Sequence, residues 1–550
     1  MLTCRCFNRI AMVLTLIGLL ITFAALHLTI DMDVNVSLSL YGILILLYLL
    51  IQIIFSTLNK RMINSIRNGN VPEEHKDTTG HVVNCVIPGF MEDKNYYKAC
   101  LGSYLNLAEY DHMHIKHVLF IIDGDEEKDM YMKDIFLSVF PTADSEVIHL
   151  NKTVDELEPE HADSITLRKK YVCIIQPHKG KRHALYTGFY YSCIDPEVTA
   201  ITTSDSDTIM GVDSVNELTL VLKDKRIHAA TGYVDIFNDR TTISYLSRLR
   251  YFFACNLERS YESWTRGVLC MSGPLSIYRT EATKRFLDKW LNQIFWGKPC
   301  TYGDDRHLTN CILENGGQTV YTPYAKCRTE TPQGLTRFLR QQLRWNKSSI
   351  RELNWTMKFI TQHSIWMTVD VAYQTLYSLF IVGSILYVIY GGTVSNLLTY
   401  CYGLMVIAFL RSLYGVFAGR HVKYLLYSYY TIIYLFMMIP LRVFAMLRMT
   451  DSSWGNIGRR TPTAMGEWIS VGLWSSVVVG GIGWKIAANY RDISVLQRFL
   501  LGGVVGYFLA LWIIIKICAT TRCRNNTVAP MLEELENVDN LGSRTETSIV

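Results

Sequence analysis

The stretch HVLFIIDGDEE, residues 117–127, is a run of apolar residues that ends in four acids. Three other short apolar runs end in turn or charged residues: HVVNCVI (81–87), YVCIIQPHKGKR (171–182) and TAITTSDSDT (199–208). Helical stretches such as Tyr96–Ala108 and Met130–Phe140 lie between them. This alternation predicts βαβ units and a mostly parallel sheet. Because ligands bind at the carboxyl ends of the strands in such sheets, the charged strand ends predict one shared site.

Long apolar runs flank this α/β region and predict membrane helices. Hydrophobic residues make up 49% of the 550 residues, and the long apolar runs lie outside residues 59–351. Ile10–Ile30 and Leu38–Phe55 are nearly free of charge, and each is close to the roughly 20 residues that cross a bilayer as a helix. We interpret them as a helical hairpin. A signal peptide is disfavoured because no small-residue cleavage site stands out and a second apolar run follows at once.

Five more apolar runs follow the α/β region: Ile365–Tyr390, Leu397–Ala418, Tyr424–Met446, Ile469–Ala488 and Phe499–Cys518. Basic residues after the second and last runs of the chain, such as Lys60 and Arg522, place the α/β insert and both termini in the cytoplasm by the positive-inside rule. An even number of the five runs must then cross the membrane. Tyr424–Met446 contains Pro440 and Arg442, so we expect it to lie at the interface or to re-enter. About six spans result.

The chain thus divides into segments with different expected environments. The basic, amphipathic stretch ETPQGLTRFLRQQLRWNKS (330–348) predicts an interfacial helix. We expect an N-terminal membrane hairpin (1–60), a cytoplasmic α/β domain (61–330), interfacial amphipathic helices (331–364), a membrane region (365–520) and a cytoplasmic tail (521–550). The expected fold class is a mostly parallel α/β domain inserted in an α-helical membrane domain.

Net charge and cysteine usage exclude some classes of function. The net charge is only +5, so charge gives no case for nucleic-acid binding. The 14 cysteines form no paired CxxC pattern of the kind that holds zinc. In a cytoplasmic domain we expect most of them to be reduced core thiols. The sequence carries no signal for an oligomeric state.

The motif SDSD, Ser204 to Asp207, is a candidate metal site at the end of a predicted strand. Asp205 and Asp207 can share one divalent cation, because Mg²⁺ and Mn²⁺ favour oxygen ligands. Such a cation usually also binds substrate phosphates. The alternative is an ordinary acidic turn.

Two other strand ends carry groups suited to a nucleotide. DGD, Asp123 to Asp125, offers carboxylates that can accept hydrogen bonds from a ribose or a base. HKGKR (178–182) is a cationic loop suited to a diphosphate. The alternative for that loop is a solvated basic turn.

Adjacent acids and an Arg-Trp pair complete the candidate site. In CTYGDDRHLTN (300–310), one acid of the pair Asp304–Asp305 can act as a general base towards an attacking hydroxyl. Alternatively, Asp304 caps the helix that follows and Asp305 favours its first turn. In QQLRW (341–345), Arg344 can hold a leaving diphosphate and Trp345 can stack on a sugar. The alternative there is an amphipathic helix with an interfacial tryptophan.

In this order, the motifs DGD, SDSD, GDD and QQLRW make the chain resemble the processive family 2 glycosyltransferases with a GT-A fold, which include chitin and cellulose synthases. Finer stretches resemble the hyaluronan synthases of vertebrates and chlorella viruses: KGKRHALYTGF (179–189), SDSDT (204–208), SGPLSIYR (272–279), CTYGDDRHLTN (300–310), QQLRWNKS (341–348) and WGNIGRR (454–460). The resemblance covers nearly the whole chain. It implies a GT-A domain within the membrane domain described above.

The resemblance also implies a reaction and its residues. The family builds hyaluronan from UDP-N-acetylglucosamine and UDP-glucuronic acid by inverting transfer, with Mg²⁺ or Mn²⁺, and secretes the polymer through its own channel, usually at the plasma membrane. The carried-over roles are base (Asp305), acceptor orientation (Asp304), uridine contact (Asp123, Asp125), diphosphate contact (Lys181, Arg344), metal binding (Asp205, Asp207, with Asp207 favoured as direct ligand) and acceptor platform (Gln341, Trp345).

Three further assignments from the resemblance keep an alternative. Arg259 is expected near the acceptor, or else in an ion pair with Glu258 or Glu262. Cys300 is expected to line the acetamido pocket of the donor, or else to be a buried core thiol. Trp454, Arg459 and Arg460 are expected in a gating loop, residues 451–463, over bound nucleotide. Without the resemblance, that loop would be a positive-inside anchor.

Rival functions remain open at this point. A chitin synthase would use only UDP-N-acetylglucosamine, and the mechanism residues do not exclude it. A glycosyltransferase acting on a lipid carrier would need no QxxRW platform. A transporter that only senses nucleotide would have no use for a base beside a metal site. The expected partners are the two UDP-sugars, nascent hyaluronan and the lipid bilayer, with no nucleic acid.

Overall fold

A nine-stranded sheet forms the centre of the α/β region. The computed structural model describes residues 34–110, 114–450 and 466–525. The strands are β1 (Val83–Gly89), β2 (Ile115–Asp123), β3 (Ser145–His149), β4 (Tyr171–Gln176), β5 (Ala200–Thr203), β6 (Ile209–Met210), β7 (Ile227–Ile236), β8 (Ser276–Arg279), β9 (Ile294–Phe295), β10 (Lys298–Pro299) and β11 (Gln318–Thr329). The order in the sheet is β3-β4-β2-β1-β5-β8-β7-β11-β6, and β9 and β10 form a separate hairpin.

The sheet is mostly parallel, as the sequence predicts. Strand β1 pairs in parallel with β2 and β5, β2 and β3 pair in parallel with β4, and β7 pairs in parallel with β11. Only β8 and β6 run against their neighbours. The four predicted strands are β1, β2, β4 and β5. The first begins two residues later than HVVNCVI and continues through Pro88 and Gly89.

Helices cover both faces of the sheet and continue into the membrane region. They are α1 (Val34–Arg67), α2 (Lys94–Tyr110), α3 (Tyr131–Val139), α4 (Pro159–Ser164), α5 (Lys181–Ile194), α6 (Ser214–Val221), α7 (Thr242–Phe253), α8 (Ser260–Trp264), α9 (Thr280–Lys284), α10 (Leu287–Leu291), α11 (Asp304–Glu314), α12 (Leu335–Thr356), α13 (Ile365–Tyr390), α14 (Val394–Gly419), α15 (Tyr430–Ile433), α16 (Ile439–Leu447), α17 (Gly466–Ala488) and α18 (Val495–Asn525).

Side chains on both faces of β2 are buried, which explains why the sequence of this strand is a continuous apolar run. Phe120 packs on one face of the sheet, in a core with Phe136 of α3. Leu119 and Ile121 pack on the other face, in a core with Trp290 of α10. Burying each such side chain contributes about 1.5–3 kcal/mol. A parallel strand covered on both faces therefore has no polar alternation.

Among the residues that the structure describes, six helical segments are long and apolar enough to span a membrane. They are Gly42–Arg67, Ile365–Tyr390, Val394–Gly419, Val422–Leu447, Gly466–Ala488 and Val495–Thr521. The expected membrane domain of about six spans is thus confirmed by length and composition, although the six segments include Val422–Leu447, which matches the run expected not to cross, in place of Ile10–Ile30. The first predicted run, Ile10–Ile30, lies outside the described residues.

The run Tyr424–Met446 forms a broken helix. It comprises a 3₁₀ helix (Val422–Tyr429), α15, a π-helical turn (Tyr434–Met438) and α16, with Pro440 at the start of α16. Proline is tolerated in the first turn of a helix because the N–H it lacks would have no partner there. The expectation that this run lies at the interface or re-enters stays a prediction.

Two helices join the α/β domain to the membrane region. Helix α1 continues to Arg67, and Asn59 Nδ2 donates to Ser260 Oγ and to the Tyr321 carbonyl, both at 3.2 Å. Helix α12 packs against both α11 and α16. Both α1 and α12 therefore fix the α/β domain against the membrane helices.

Candidate active site

Asp123 closes strand β2 and shapes the basic loop that follows β4. Its side chain is 1% exposed, and its two carboxylate oxygens accept the backbone N–H groups of Lys179 (3.1 Å) and Gly180 (2.8 Å). His178 Nδ1 lies 2.7 Å from Asp123 Oδ2. The His178 ring also stacks on Phe90, with centroids 4.1 Å apart. Sequence reasoning missed this ring pair, although Phe90 directly follows the Pro-Gly turn of β1.

Asp125 lies two residues beyond β2 and is exposed. Its carboxylate is thus accessible to a ligand, whereas both oxygens of Asp123 already accept hydrogen bonds from the loop. The two acids of DGD therefore have different environments, one organising the loop and one facing solvent.

The basic loop and the SDSD motif meet through an ion pair between Lys181 and Asp205. Lys181 opens helix α5, after Gly180. Burial would lower the pKa of Lys181, but the carboxylates around it, led by Asp205, outweigh burial and raise that pKa. A Cβ on Gly273 would lie 3.5 Å from Asp205 Oδ1 and 3.7 Å from Lys181 Nζ, so SGPLSIYR also borders the site.

Asp207 lies in a strongly acidic environment. Thr329 Oγ1 donates to Asp207 Oδ1 at 3.1 Å. Burial, and after it the carboxylates of Glu92 and Asp205, raise the pKa of Asp207 well above its ordinary value. Ser206 Oγ donates to Glu92 Oε1 at 3.0 Å. Like charges this close disfavour one another's ionised form unless a cation neutralises them.

Asp205 and Asp207 offer oxygen donors, which hard divalent cations prefer. Within the described residues, no group of three or more His, Cys, Asp or Glu side chains is arranged to hold a metal ion. Two carboxylates with other ligands from phosphate and water are typical of a magnesium site that binds together with its nucleotide. The pair fits such a cation better than a cation held only by protein ligands.

Helix α11 begins with the two adjacent acids, and its N-cap is Gly303. Gly303 has a φ of +83°, and a Cβ there would clash with Ser348 Oγ, so only glycine fits. Asp304 Oδ1 accepts a 2.6 Å hydrogen bond from Arg182 Nε, and both side chains are buried. The Trp290 indole N–H donates to the Asp304 carbonyl at 3.0 Å. The alternative in which Asp304 caps the helix is wrong, because Gly303 occupies that position.

Asp305, the second acid, is partly exposed. Burial and then the Asp305 charge raise the pKa of the Cys270 thiol to about 12, and the neutral thiol lies 3.5 Å from Asp305 Oδ2. Burial lowers the pKa of Arg344, and among the carboxylates that oppose this effect Asp305 is the strongest. Asp305 is therefore the acid of the pair that a substrate can reach, with Arg344 nearby.

Helix α12 carries the Arg-Trp pair at the edge of the site. The Trp345 side chain is 41% exposed, and its ring meets Tyr251 edge to face, with centroids 6.4 Å apart. Gln341 lies one turn earlier on the same helix and is partly exposed. Phe338, Leu339 and Leu343 of α12 are buried in a core shared with the membrane helices. The helix is thus amphipathic and also presents an aromatic face beside Asp305 and Arg344.

Arg259 ends a π-helical turn (Ala254–Arg259) and donates from Nη1 to Cys255 Sγ at 3.4 Å. Glu258 pairs instead with Arg250 (2.8 Å) and Arg411. In the part of the chain that the structure describes, Glu262 is not ion-paired with Arg259 either. The alternative of a local ion pair for Arg259 is therefore wrong.

Cys300 is 5% exposed, which agrees with its alternative as a buried thiol. Burial raises its pKa, and the guanidinium groups of Arg351 and Arg182 oppose that rise. Cys300 therefore lies close to the Arg182–Asp304 pair. Its expected contact with the donor stays a prediction. Trp454, Arg459 and Arg460 lie outside the described residues.

Sequence reasoning also missed the residues that hold α11 in place. Arg182 looked like one more cation of the basic loop, yet it is 3% exposed and paired with Asp304. His307 and Glu352 lie 3.0 Å apart and are likewise buried. The available signal was the three-residue spacing of His307 and Asn310 on one face of a helix.

Comparisons with known proteins agree with this geometry. The model of the family described as "Glycosyltransferase like family 2" matches residues 83–348. That range runs from the start of β1 into the second half of α12, and of the site residues discussed above it leaves out only Arg351, Glu352 and those in the loop 451–463. Residues 83–348 are accordingly similar to a family 2 glycosyltransferase domain.

Whole-chain relatives decide the family. The chain is 32% identical to hyaluronan synthase 1 of Xenopus tropicalis over 540 residues, 91% of this chain and 89% of that protein. It is 30% identical to human hyaluronan synthase 3 over 506 residues, 88% of this chain and 90% of that protein. The chain belongs to the hyaluronan synthase family. This membership confirms the resemblance found in the sequence and favours a hyaluronan synthase over a chitin synthase.

Membership in the hyaluronan synthase family also explains the combination of parts. The match extends over the membrane helices as well as the α/β domain, because it covers about nine-tenths of the chain. A hyaluronan synthase therefore combines the GT-A domain and its membrane region in one polypeptide.

Proposed function

We propose that this chain polymerises N-acetylglucosamine and glucuronic acid from their UDP donors and exports the hyaluronan through its own membrane region. One observation carries the proposal. Asp205 with Lys181, and Asp305 with Arg344, converge at one edge of the sheet, and the exposed Trp345 lies on a helix packed against a membrane helix. Donor chemistry, acceptor binding and an exit route thus adjoin one another.

The donor is bound by the loop and strand ends. Asp125 and the Phe90–His178 ring pair border the space for uridine, and Lys181 and Arg344 meet the diphosphate. Asp205 and Asp207 would hold Mg²⁺ or Mn²⁺, which neutralises diphosphate charge and makes UDP a better leaving group. Because Lys181 is paired with Asp205, its ammonium is already held where the phosphates are expected.

The transfer itself is an inverting displacement. Asp305 accepts the proton of the acceptor hydroxyl as the hydroxyl oxygen forms a bond with the anomeric carbon of the donor. The bond from that carbon to the UDP oxygen breaks, and Arg344 stabilises the charge that develops on the diphosphate. No protein nucleophile is needed. Asp304, which the resemblance assigns to acceptor orientation, is buried and would act on this step through its ion pair with Arg182, which fixes the start of α11.

The growing polymer lies on Trp345, with Gln341 one turn away on the same helix. Arg259 and Cys300 border the sugars. We assign Trp454, Arg459 and Arg460 to a gating loop, residues 451–463, over the nucleotide. The α/β domain and both termini are placed in the cytoplasm, and the chain in the plasma membrane, so that cytoplasmic UDP-sugars feed a polymer that leaves the cell.

A sugar-incorporation assay on purified full-length protein tests the proposal. The protein in detergent receives Mg²⁺ or Mn²⁺ with UDP-N-acetylglucosamine alone, UDP-glucuronic acid alone, or both. We expect high-molecular-weight product only with both donors, and its digestion by hyaluronidase. Polymer from UDP-N-acetylglucosamine alone would establish a chitin-type enzyme instead. Product that extracts into organic solvent would indicate transfer to a lipid carrier.

A further inference from the structure

A buried chain of hydrogen bonds lies behind the two acids. Arg182 Nε donates to Asp304 Oδ1 (2.6 Å), and Arg182 Nη1 donates to Gln293 Oε1 (3.1 Å). Gln293 Nε2 in turn donates to Glu352 Oε1 (2.5 Å). Each of these four side chains is at most 5% exposed. These hydrogen bonds run from the start of α11, through Arg182 of α5 and then Gln293, to the distal half of α12.

The second carboxylate oxygen of Glu352 contacts two side chains of α11. Glu352 Oε2 accepts from Asn310 Nδ2 at 2.9 Å and lies 3.0 Å from His307 Nδ1. Burial would raise the pKa of Glu352, but the groups around it, led by His307, outweigh burial and lower that pKa to about 2. Glu352 is therefore ionised at neutral pH. An ionised carboxylate only accepts hydrogen bonds, so His307 Nδ1 carries a hydrogen.

This network has a single arrangement of donors and acceptors. A guanidinium only donates and an ionised carboxylate only accepts. The Gln293 amide between them must therefore direct its oxygen to Arg182 and its nitrogen to Glu352. A change at Glu352 would be passed through Gln293 to the Arg182–Asp304 pair, because no member can turn round without placing two donors together.

The network also fixes two halves of the active site relative to each other. Glu352 lies seven residues, about two helical turns, beyond Trp345 on α12, and His307 lies two residues beyond Asp305 on α11. Nearby on α12, Arg351 Nη2 donates to the Tyr302 carbonyl just before the acids. The residue that would meet the acceptor and the residue that would take its proton are thus on helices joined at Glu352.

We propose that Glu352 is a positioning residue, which with His307 holds Arg344 and Trp345 on α12 in register with Asp305 on α11. The inference rests on the proposed function only in assuming that Asp305 and Trp345 act on the acceptor. Losing this register misplaces the acceptor relative to the base and leaves the donor site intact. Misplacement of about 1 Å can cost on the order of 100-fold in rate.

The variant Glu352→Gln tests this role. Glutamine has one acceptor oxygen, so it cannot serve both Gln293 and the donors on α11. In full-length protein reconstituted in lipid, we expect kcat for sugar incorporation to fall about 10–100-fold, with KM for the UDP-sugars changed less than about twofold. We also expect more UDP released per sugar incorporated, because water replaces a misplaced acceptor.

Asp224→Asn is the matched control. Asp224 is equally buried, its pKa is lowered to about 2, and it pairs with Arg226 and Arg266. It precedes β7, at the edge of the sheet opposite the strand ends that carry the site. Asp224→Asn should lower thermal stability and leave the kcat and UDP-to-sugar ratio of the folded protein unchanged. Glu352→Gln behaving like Asp224→Asn in both readouts would overturn the proposal.

If Glu352→Gln does not fold, variants of His307 test whether the contact between His307 and Glu352 positions α12 relative to α11. Asparagine places a donor near the position of His307 Nδ1, and alanine places none. We expect His307→Asn to keep near-normal coupling of UDP release to sugar incorporation, and His307→Ala to lose it. Equal behaviour of the two variants would refute the positioning role. The donors that the wild-type protein requires test the proposed function separately. The positioning role is tested by comparing the rates of variant and wild type with whichever donors the wild type uses, so one test can fail without the other.

Discussion

Adjacent aspartates at the start of α11 have opposite environments. Asp304 is buried and paired with Arg182 at 2.6 Å. Asp305 is partly exposed beside the neutral thiol of Cys270. Removing one member of a buried ion pair costs about 3–5 kcal/mol, because the remaining charge has no partner. Asp304 therefore serves the structure of the site, and Asp305 is available for proton transfer.

Asp305→Asn is expected to lower turnover by about 10²–10⁴-fold, because it removes the proposed general base without changing the shape of the side chain. Binding of UDP should be unchanged, since Lys181 and Arg344 are retained. Sugar incorporation and UDP affinity, measured on the same preparation, check this. Retained turnover, or a parallel loss of UDP binding, would contradict the role of base. Asp304→Asn serves as the comparison and should lower both thermal stability and turnover, because it breaks the ion pair with Arg182 that fixes the start of α11.

Removal of divalent metal should abolish sugar incorporation. Asp205, Asp207 and Glu92 form an acidic cluster beside the position expected for the diphosphate. Lys181 alone cannot neutralise the negative charge of the cluster and of the diphosphate together. Treatment with EDTA followed by added Mg²⁺ or Mn²⁺ should restore the rate in the wild type. In Asp207→Asn, excess metal should restore little. Full activity in EDTA would show that Lys181 and Arg344 suffice without a cation.

Helix α12 contacts the start of α11 so closely that one position admits only glycine. Gly303 has a φ of +83°, and the space for a Cβ is filled by Ser348 Oγ. Three successive contacts, at Ser348, Arg351 and Glu352, therefore hold α12 against α11. The acids and the Arg-Trp pair share one rigid support, as the geometry of a catalytic site requires.

Gly303→Ala should destabilise the protein and slow it. A positive φ costs a non-glycine residue about 1–2 kcal/mol, and the clash with Ser348 adds to that cost and displaces α12. Gly297→Ala is the control, because Gly297 has a φ of +76° but nothing within 4 Å of its Cβ position. Thermal midpoints and turnover of both variants are compared. If both variants change the thermal midpoint and turnover equally, the contact between α11 and α12 contributes neither to stability nor to turnover.

Elements with a local signal were predictable from the sequence, and contacts between distant residues were not. Strands β1, β2, β4 and β5 are apolar runs that end in turns or charges, which a short stretch reveals. The ion pair of Arg182 and Asp304 joins residues 122 positions apart. No periodicity encodes such a pairing, so Arg182 looked like a loop cation and Asp304 like a cap. DGD, SDSD and GDD were found because each lies at an end of its own element, whereas QQLRW lies inside α12 and was found through its composition.

At the scale of the whole molecule, the site lies on the membrane region and not apart from it. Helix α12 packs on α16, and α1 bonds to the α/β domain through Asn59. A polymer held at Trp345 is therefore already beside the membrane helices. The sequence predicted the apolar runs by length alone. It did not predict the break in Val422–Leu447, because the π-helical turn there has no compositional signal.

Buried carboxylates on both sides of the molecule should set its stability in acid. The pKa of Asp224 is lowered from 3.8 to about 2, and that of Glu352 from 4.5 to about 2. A lowered pKa means that the unfolded chain binds protons first, so the stabilisation is complete above about pH 4.5 and is lost as the pH falls towards 2. Each group contributes on the order of 2–3 kcal/mol at neutral pH.

The thermal midpoint of the purified protein should accordingly stay level from pH 7 to about pH 5 and fall steeply below pH 4.5. Asp224→Asn removes one of the two charges at every pH. Its midpoint should lie below that of the wild type at pH 7, and the two curves should converge in acid, where Asp224 is protonated in both the folded and the unfolded wild type. Parallel curves down to pH 3 would mean that Asp224 does not titrate with a lowered pKa.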